Sequence, residues 1–493
     1  MNQFNTRNPE RTIEIRPDSN NKGGWLLVGA LGSGMRALAE LLIDAGEVVT
    51  GTDHQLVADD FVHQTAFDHD RLRLFRPDDV EQIFAQSPTR VAYSMAVPEQ
   101  SQFLEAFRSL GKSVQSLPQA LNQILGSRDQ LCIAGTHGKT TTSGMVYSIL
   151  EHAACHPSAY IGGMKTSTGR SGVLGSGTVA VVESCEYRKS FLHLTPATVV
   201  LTGIESDHFD YFKSEVECDQ TFIDFVHRLP SDGKLIYNAD CPRAAAVAAI
   251  SGRPTISVSL TKDSEWNAIP YISSASKASS GGQGQEFLLR NRTQEIGVVR
   301  IGLPGSHNRF NAVAAIAASV ANGVAVETAI QGIASFSGIH RRFEHRGHFG
   351  GIDWIDDYAH HPTAIRSTLK TVHETFPGRR VIAICEPHQL SRLTAMFSDF
   401  RSALSLADEC LILPVLPARE SASSAECTRL SGRLVRSISD SGGRAFLMAN
   451  LDQVIGRLDH SGRPGDVVIT MGAGRTHQIH DEIHRRLQRN SAA

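Results

Sequence analysis

The chain reads as an α/β protein of three domains, and three observations carry that reading. Short apolar strands alternate with helical stretches along most of its length, the pattern of mostly parallel sheets covered on both faces. These strands end in glycine or polar clusters, and open α/β sheets bind ligands at the carboxyl ends of their strands. At 493 residues the chain is also too long for one hydrophobic core.

Residues 1–23 are polar and mixed in charge, without the apolar run of a signal peptide, and read as a disordered tail. Residues 24–122 predict a Rossmann-like domain. A strand over 25–29 leads into Gly29, Gly32 and Gly34 and an amphipathic helix to residue 45. A second strand, 47–51, ends at Asp53, and a third, 90–93, ends at Ser94. Glycines after a first strand, with an acid about twenty residues on, are similar to a dinucleotide fingerprint, though G-x-G-x-x-G is not met. Close packing of helix on strand accounts for the same glycines.

Residues 123–336 predict a central P-loop-type ATPase domain. The apolar run 130–134 ends in Gly135-Thr136-His137-Gly138-Lys139-Thr140-Thr141-Thr142 and a helix follows. Backbone N–H groups freed at such a turn, with the positive end of the helix dipole, suit phosphate. Lys139 reaches β/γ oxygens as a point charge, and the Thr140 hydroxyl suits Mg²⁺. The loop is shorter than G-x-x-x-x-G-K-[ST], because Ile133 stands where the first glycine would be. The strand 178–182 ends in Glu183-Ser184-Cys185-Glu186, and 198–201 is followed by Glu205-Ser206-Asp207-His208. Glu186 and His208 therefore face the loop as candidate metal ligands. Residues 273–285, rich in serine and glycine, read as a surface excursion. The run from Gly305 to Asn311, with His307 and Asn308, opens an alanine-rich helix; these side chains either cap it or read a purine edge.

Residues 337–493 predict a second Rossmann-like domain, with strands at 352–355, 380–385, 409–413 and 466–470. Arg341-Arg342-Phe343-Glu344, after a domain joint at 335–338, is either a solvated basic turn or brings arginine to a transferred phosphoryl. Asp356-Asp357-Tyr358-Ala359-His360-His361-Pro362 is dense in titratable groups, and Glu386-Pro387-His388-Gln389-Leu390-Ser391-Arg392 ends the next strand.

Composition excludes several classes. A net charge of −3 argues against general affinity for nucleic acid or anionic membrane. No run of 18 apolar residues predicts a membrane span. The eight cysteines form no C-x-x-C pair, so neither a zinc site nor a dense disulfide framework is indicated, and a reducing cytoplasm is expected.

In this order the motifs resemble the Mur ligases of peptidoglycan synthesis, from about Trp25 to Gly474. The resemblance implies that Gly135, Thr136, His137, Gly138, Lys139, Thr140 and Thr141 form the ATP loop. Thr140, Glu186 and His208 would hold Mg²⁺, with Mn²⁺ as a substitute. His307 and Asn308 would hold adenine, and Arg342 with Asp357 the phosphate and ribose side. Gly29, Gly32, Gly34, Met35, Asp53 and Ser94 would serve the UDP-sugar. Tyr358, His360, Gln389 and Arg392 would line the amino-acid site, with Lys139, Glu186, His208, Arg342 and His360 as catalytic groups. The implied reaction joins L-alanine to the lactyl carboxylate of UDP-N-acetylmuramate, driven by ATP through an acyl phosphate, in a monomer or weak homodimer. Two alternatives remain open: a family member that adds a tripeptide to the same sugar, and a nucleotide-binding regulator without catalysis. This chain departs from the alanine-using members, which carry Asp-Glu-Ser-Asp-x-Ser where it has Cys185-Glu186-Tyr187-Arg188-Lys189-Ser190. It also has Gly203 for an asparagine and Gln389 for an arginine. No lysine stands near Thr195-Pro196-Ala197 for carbamylation.

Overall fold

A computed structural model of the protein describes residues 24–57, 72–271 and 284–492. The expected tail at 1–23, and nearly all of the excursion at 273–285, lie outside them.

Three sheets follow one another along the chain. The first has five parallel strands. Its innermost strand, Trp25–Val28, pairs with Val49–Thr52 on one side and Arg90–Tyr93 on the other. The chain reverses its winding between Trp25–Val28 and Arg90–Tyr93, so a crevice opens outside their carboxyl ends. Gly29 and Ser94 sit there.

The second sheet has ten strands. Asp129–Ala134 lies in its middle, parallel to Val179–Glu183 and Pro196–Leu201. The helices Lys139–His152, Ser306–Ala321 and Val326–Ala334 cover one face, and Leu117–Leu125, Glu215–Val226 and Pro242–Ile250 the other. The strands Trp266–Pro270, Gln285–Asn291 and Gln294–Ile301 form an antiparallel extension. Strand–helix alternation does not foretell the last two of these strands, because a tight turn between Asn291 and Gln294 rather than a helix joins them.

The third sheet has six strands, five of them parallel, with Glu344–Phe349 antiparallel at one edge. The boundary expected between residues 122 and 123 falls inside the helix Leu117–Leu125, whose Pro118 and capping box begin it and whose Gly126 ends it. That helix serves two cores: Ala120 packs in the first domain, Leu121 and Leu125 in the second. No helix among the described residues is long and apolar enough to cross a membrane.

The two domain seams differ in chemistry. Between the first and second domains, the buried Glu40 carboxylate accepts from the backbone N–H groups of Ser171 (2.8 Å) and Gly172 (2.6 Å). Asp44 accepts from Leu174 N–H at 3.0 Å and pairs with Arg170 at 2.7 Å. Gly172 lies so close that a Cβ there would sit 2.0 Å from the Ala37 carbonyl oxygen. Side chains dominate the seam between the second and third domains, and they surround the phosphate loop.

Candidate active site

The loop after Asp129–Ala134 is built to leave N–H groups free. Gly138, at φ +80°, precedes the helix Lys139–His152, and no side chain caps that end. Its first-turn N–H groups have no intrahelical acceptor, which is the condition for anion binding. Gly135, at φ +129°, packs against the next strand end, where a Cβ would meet the Thr202 hydroxyl at 2.3 Å. The Thr136 backbone N–H donates to the Gly203 carbonyl at 2.9 Å, and the Thr136 hydroxyl accepts from Glu205 N–H at 2.9 Å. Thr141 is buried in the first helical turn. Asn311, from the helix Ser306–Ala321, presses on Gly138 and leaves no room for a Cβ there.

Lys139 donates to the Gly135 carbonyl and lies 3.0 Å from Glu186 Oε2. Glu186 is 3% exposed in its side chain, and His208 Nε2 stands 3.6 Å from its Oε1. Burial pushes the Glu186 carboxyl up, but Lys139 and His208 outweigh it and hold it at about 2. Burial lowers His208, but Cys185, Glu186 and Asp207 raise it to about 10. Surroundings that favour an imidazolium also favour a divalent cation in exchange for its proton. His208 Nδ1 is buried without a hydrogen-bond partner, and the residue sits at φ +54°. A non-glycine residue at such φ is held there by its neighbours.

Thr140 Oγ1 donates to Glu183 Oε1 at 2.9 Å, and Glu183 Oε2 accepts from Gly162 N–H at 2.6 Å. Arg342 crosses from the third domain to donate to Thr140 Oγ1 at 3.0 Å. Its neighbour Arg341 turns the other way, to the Gly472 carbonyl and Asp356. Thr140 with Glu183 and Glu186 with His208 thus form two pairs beside the loop, of the oxygen and imidazole donor types that a divalent cation takes.

A second group joins the loop to the third domain. Thr363 Oγ1 donates to Glu205 Oε2 at 2.7 Å, and the His137 and His361 rings approach to 4.7 Å. His361 caps the helix Pro362–Thr375 by accepting from Thr363 N–H. Deeper in the same seam, Arg392 Nε and Nη2 meet Asp207 Oδ1 at 2.8 and 2.7 Å, and Arg392 Nη1 donates to the His388 carbonyl at 3.0 Å. His360 Nδ1 donates to the Tyr358 carbonyl at 2.8 Å, which leaves its Nε2 unprotonated and able to accept. Burial, with Arg392 and His388 nearby, holds His360 well below its ordinary value. Tyr358 lies under both Arg341 and Arg342.

Comparison with known proteins places this geometry in a family. Residues 133–319 match the Mur ligase middle domain, and residues 341–474 match the Mur ligase, glutamate ligase domain. The UDP-N-acetylmuramate–L-alanine ligase of Salinibacter ruber is 32% identical over 91% of this chain and 91% of its own length. The chain belongs to the Mur ligase family. The ligase of the same name from Nitratidesulfovibrio vulgaris is 30% identical over 91% of this chain and 95% of its own. The crystal structure of UDP-N-acetylmuramate-alanine ligase from Thermotoga maritima has the same fold. Its TM-score is 0.77 at 22% identity, covering 95% of this chain and 99% of that one. The murein peptide ligase of Psychrobacter arcticus gives 0.67 at 26% identity, covering 94% and 99%.

Several of the expected site residues in this Mur ligase are buried or bonded within the protein itself. Met35 is 1% exposed and packs with Leu38, Ala39 and Leu42, because its helix turns it toward the sheet; its side chain does not face the crevice. Asp53, also buried, accepts from Leu31 N–H at 3.0 Å and so staples the glycine turn. Gly29 opposes Ser94, where a Cβ would lie 2.9 Å from the Ser94 Cβ, while Gly32 is open and Gly34 packs under the Tyr160 hydroxyl. Asn308 donates to the Pro304 carbonyl, and His307 Nδ1 bonds Ser367 across the seam. Both Asp357 oxygens accept backbone N–H groups, of Phe343 and Ala359. Gln389 is 0% exposed and neither of its amide atoms has a partner, so it is no open contact surface. Sequence reasoning misses Glu183 and Asn311; Glu183 has a signal, as an acid ending a strand beside the loop.

Burial holds His307, His361 and His388 at about 4, so each is neutral in the folded protein. A depressed folded value adds stability above the ordinary histidine range and loses it as pH falls toward 4. Glu186 and Glu205, both at about 2, add a second loss below the carboxylate range. The thermal midpoint should therefore fall steadily from pH 7 to pH 4.5. His361→Asn, which keeps a capping oxygen, should flatten that slope; an unchanged slope in scanning calorimetry would exclude His361 as a source.

Proposed function

We propose that the protein is an ATP-dependent ligase joining L-alanine to the lactyl carboxylate of UDP-N-acetylmuramate, in peptidoglycan precursor synthesis. The observation that carries the proposal is the meeting of Lys139, Thr140 and Glu186 with Arg342 at the loop, in a chain about a third identical to alanine ligases over nine tenths of its length. A carboxylate is a poor acyl donor, so its oxygen first attacks the γ-phosphoryl of ATP, giving an acyl phosphate and ADP. The amine then attacks the acyl carbon and phosphate leaves.

In this reading the first-turn N–H groups and Lys139 hold the ATP phosphates. Arg342 adds charge at the transferred phosphoryl, where stabilisation counts most. Thr140, Glu183, Glu186 and His208 would hold Mg²⁺ or Mn²⁺, which when bound neutralises phosphoryl charge. His307 and Asn308 stand for the adenine side, and the crevice at Gly29 and Ser94 for the UDP-sugar. Tyr358, His360 and Arg392 line the acceptor side, with His360 Nε2 placed to take the amine proton. Closing the seam shields the acyl phosphate from water. With these substrates the reaction is cytoplasmic.

An acceptor screen with UDP-N-acetylmuramate and ATP tests the proposal. Phosphate release should require L-alanine, and a tripeptide should not replace it. The likeness to the murein peptide ligase, at 26% identity, supports the opposite result as the second reading. Release without any acceptor dependence would defeat both. Turnover should also require Mg²⁺ or Mn²⁺, and His208→Ala should raise the Mg²⁺ concentration for half-maximal rate. An unchanged metal titration would remove His208 from the site.

A further inference from the structure

Cys185 is the exposed cysteine of the eight; the other seven are buried or half-buried. Its Sγ, a Glu186 carboxylate oxygen and a His208 ring nitrogen all lie within 4.8 Å of one another. Tetrahedral ligands about 2.0–2.3 Å from an ion stand on the order of 3.5 Å apart. The Glu186–His208 separation of 3.6 Å already meets that, and the thiol already lies within 4.8 Å of both. Glu186 and His208 are both held in place, by burial and by a fixed backbone turn.

The donor set is mixed in a way that decides which ion it prefers. Thr140, Glu183 and Glu186 offer the oxygens that Mg²⁺ and Mn²⁺ select. Sulfur, imidazole and one carboxylate are instead the donors of a Zn²⁺ or Cd²⁺ site, three from protein with a fourth position open. We propose that Cys185, Glu186 and His208 form a soft-cation site overlapping the catalytic metal position, through which Zn²⁺ or Cd²⁺ inhibits the enzyme. It rests on the reading of Glu186 and His208 as metal ligands. On binding, a metal–sulfur bond forms and the thiol proton leaves to solvent. The Lys139 ammonium moves off Glu186 toward the Gly135 and Thr136 carbonyls, to which it already donates.

The test uses the full chain and Cd²⁺ or Zn²⁺ alone as probes. One equivalent of Cd²⁺ should produce the ultraviolet cadmium–thiolate charge-transfer band. Cys185→Ser should remove the band and raise the Zn²⁺ concentration for half-inhibition at least tenfold, whereas Cys155→Ser should alter neither. A wild-type protein without the band, a band that survives Cys185→Ser, or equal zinc sensitivity in both would overturn the proposal. Mn²⁺ binding followed by electron paramagnetic resonance separates it from the reading beneath. If Glu186→Gln weakens Mn²⁺ binding but wild type shows no Cd²⁺ band, only the soft-cation site fails. If Glu186→Gln leaves Mn²⁺ binding unchanged, the metal-ligand reading fails as well.

Discussion

Lys139→Ala should lower turnover about a thousandfold, the scale seen when one preorganised charge is removed from a transition state. Phosphoryl transfer gives the protein little covalent work, so charge placed on the phosphoryl oxygens is most of what it contributes. Lys139 is the ammonium of the loop itself and stands 3.0 Å from the buried Glu186. The substitution should therefore also raise the Glu186 carboxyl above its present value of about 2, since Lys139 is the chief opponent of its burial. The loop's backbone loses the lysine's bonds to the Gly135 and Thr136 carbonyls but keeps those made by Thr136, Thr202 and Gly203. Circular dichroism should remain native while phosphate release disappears. A variant keeping more than a tenth of wild-type turnover would remove Lys139 from the phosphate site.

Arg392→Ala should have the next largest effect, with two separable components. The guanidinium is 2% exposed and joins the third domain to Asp207 of the second through two short contacts. Burial would raise Asp207, yet Arg392 and the surrounding histidines hold its carboxyl far below the usual range. Removing only the arginine leaves that carboxylate buried and unpaired, which costs about 3–5 kcal/mol. In the proposed acceptor role, for which the guanidinium has to exchange part of its Asp207 contact, loss of a charge-assisted contact to the acceptor's carboxylate costs roughly 1.5–3 kcal/mol more in binding, to be seen as a rise in KM for alanine of about ten- to a hundredfold. Asp207→Asn on top of Arg392→Ala should restore much of the stability and none of the KM. Recovery of both would make Arg392 a purely structural tie. KM for ATP should change little in either variant.

How much of this is legible in the sequence depends on distance along the chain. The phosphate loop is readable because a strand, a glycine turn and a helix start are contiguous, and the fold makes the same turn there. Glu183 is visible as an acid in the cluster that ends the strand expected over 178–182, but the cluster alone does not separate its role from that of Glu186. The strand Val179–Glu183 instead runs one residue further and delivers that carboxylate to Thr140. The Arg342–Thr140 contact spans 202 residues, and no local pattern encodes such a pairing. Met35 shows a different limit: the family resemblance assigns it to the UDP-sugar, whereas the helical period, counted from Leu38 and Leu42, directs its side chain to the core. Gln389 and Arg392 stand three apart, yet one is sealed with no partner and the other is fully engaged, a distinction that only the opposing domain creates.

The Glu40 seam has a mechanical consequence. Where main-chain donors and a glycine in close contact bind two domains, relative sliding would strand the two buried N–H groups of Ser171 and Gly172 at once. Away from a short main-chain bridge between residues 164–166 and 338–340, the opposite seam is made of side-chain pairs that can separate singly and exchange partners with water. The first and second domains are thus tied mainly through backbone donors, and the third is tied to the second mainly through side chains. Any opening stroke runs through the single connection around residues 335–338.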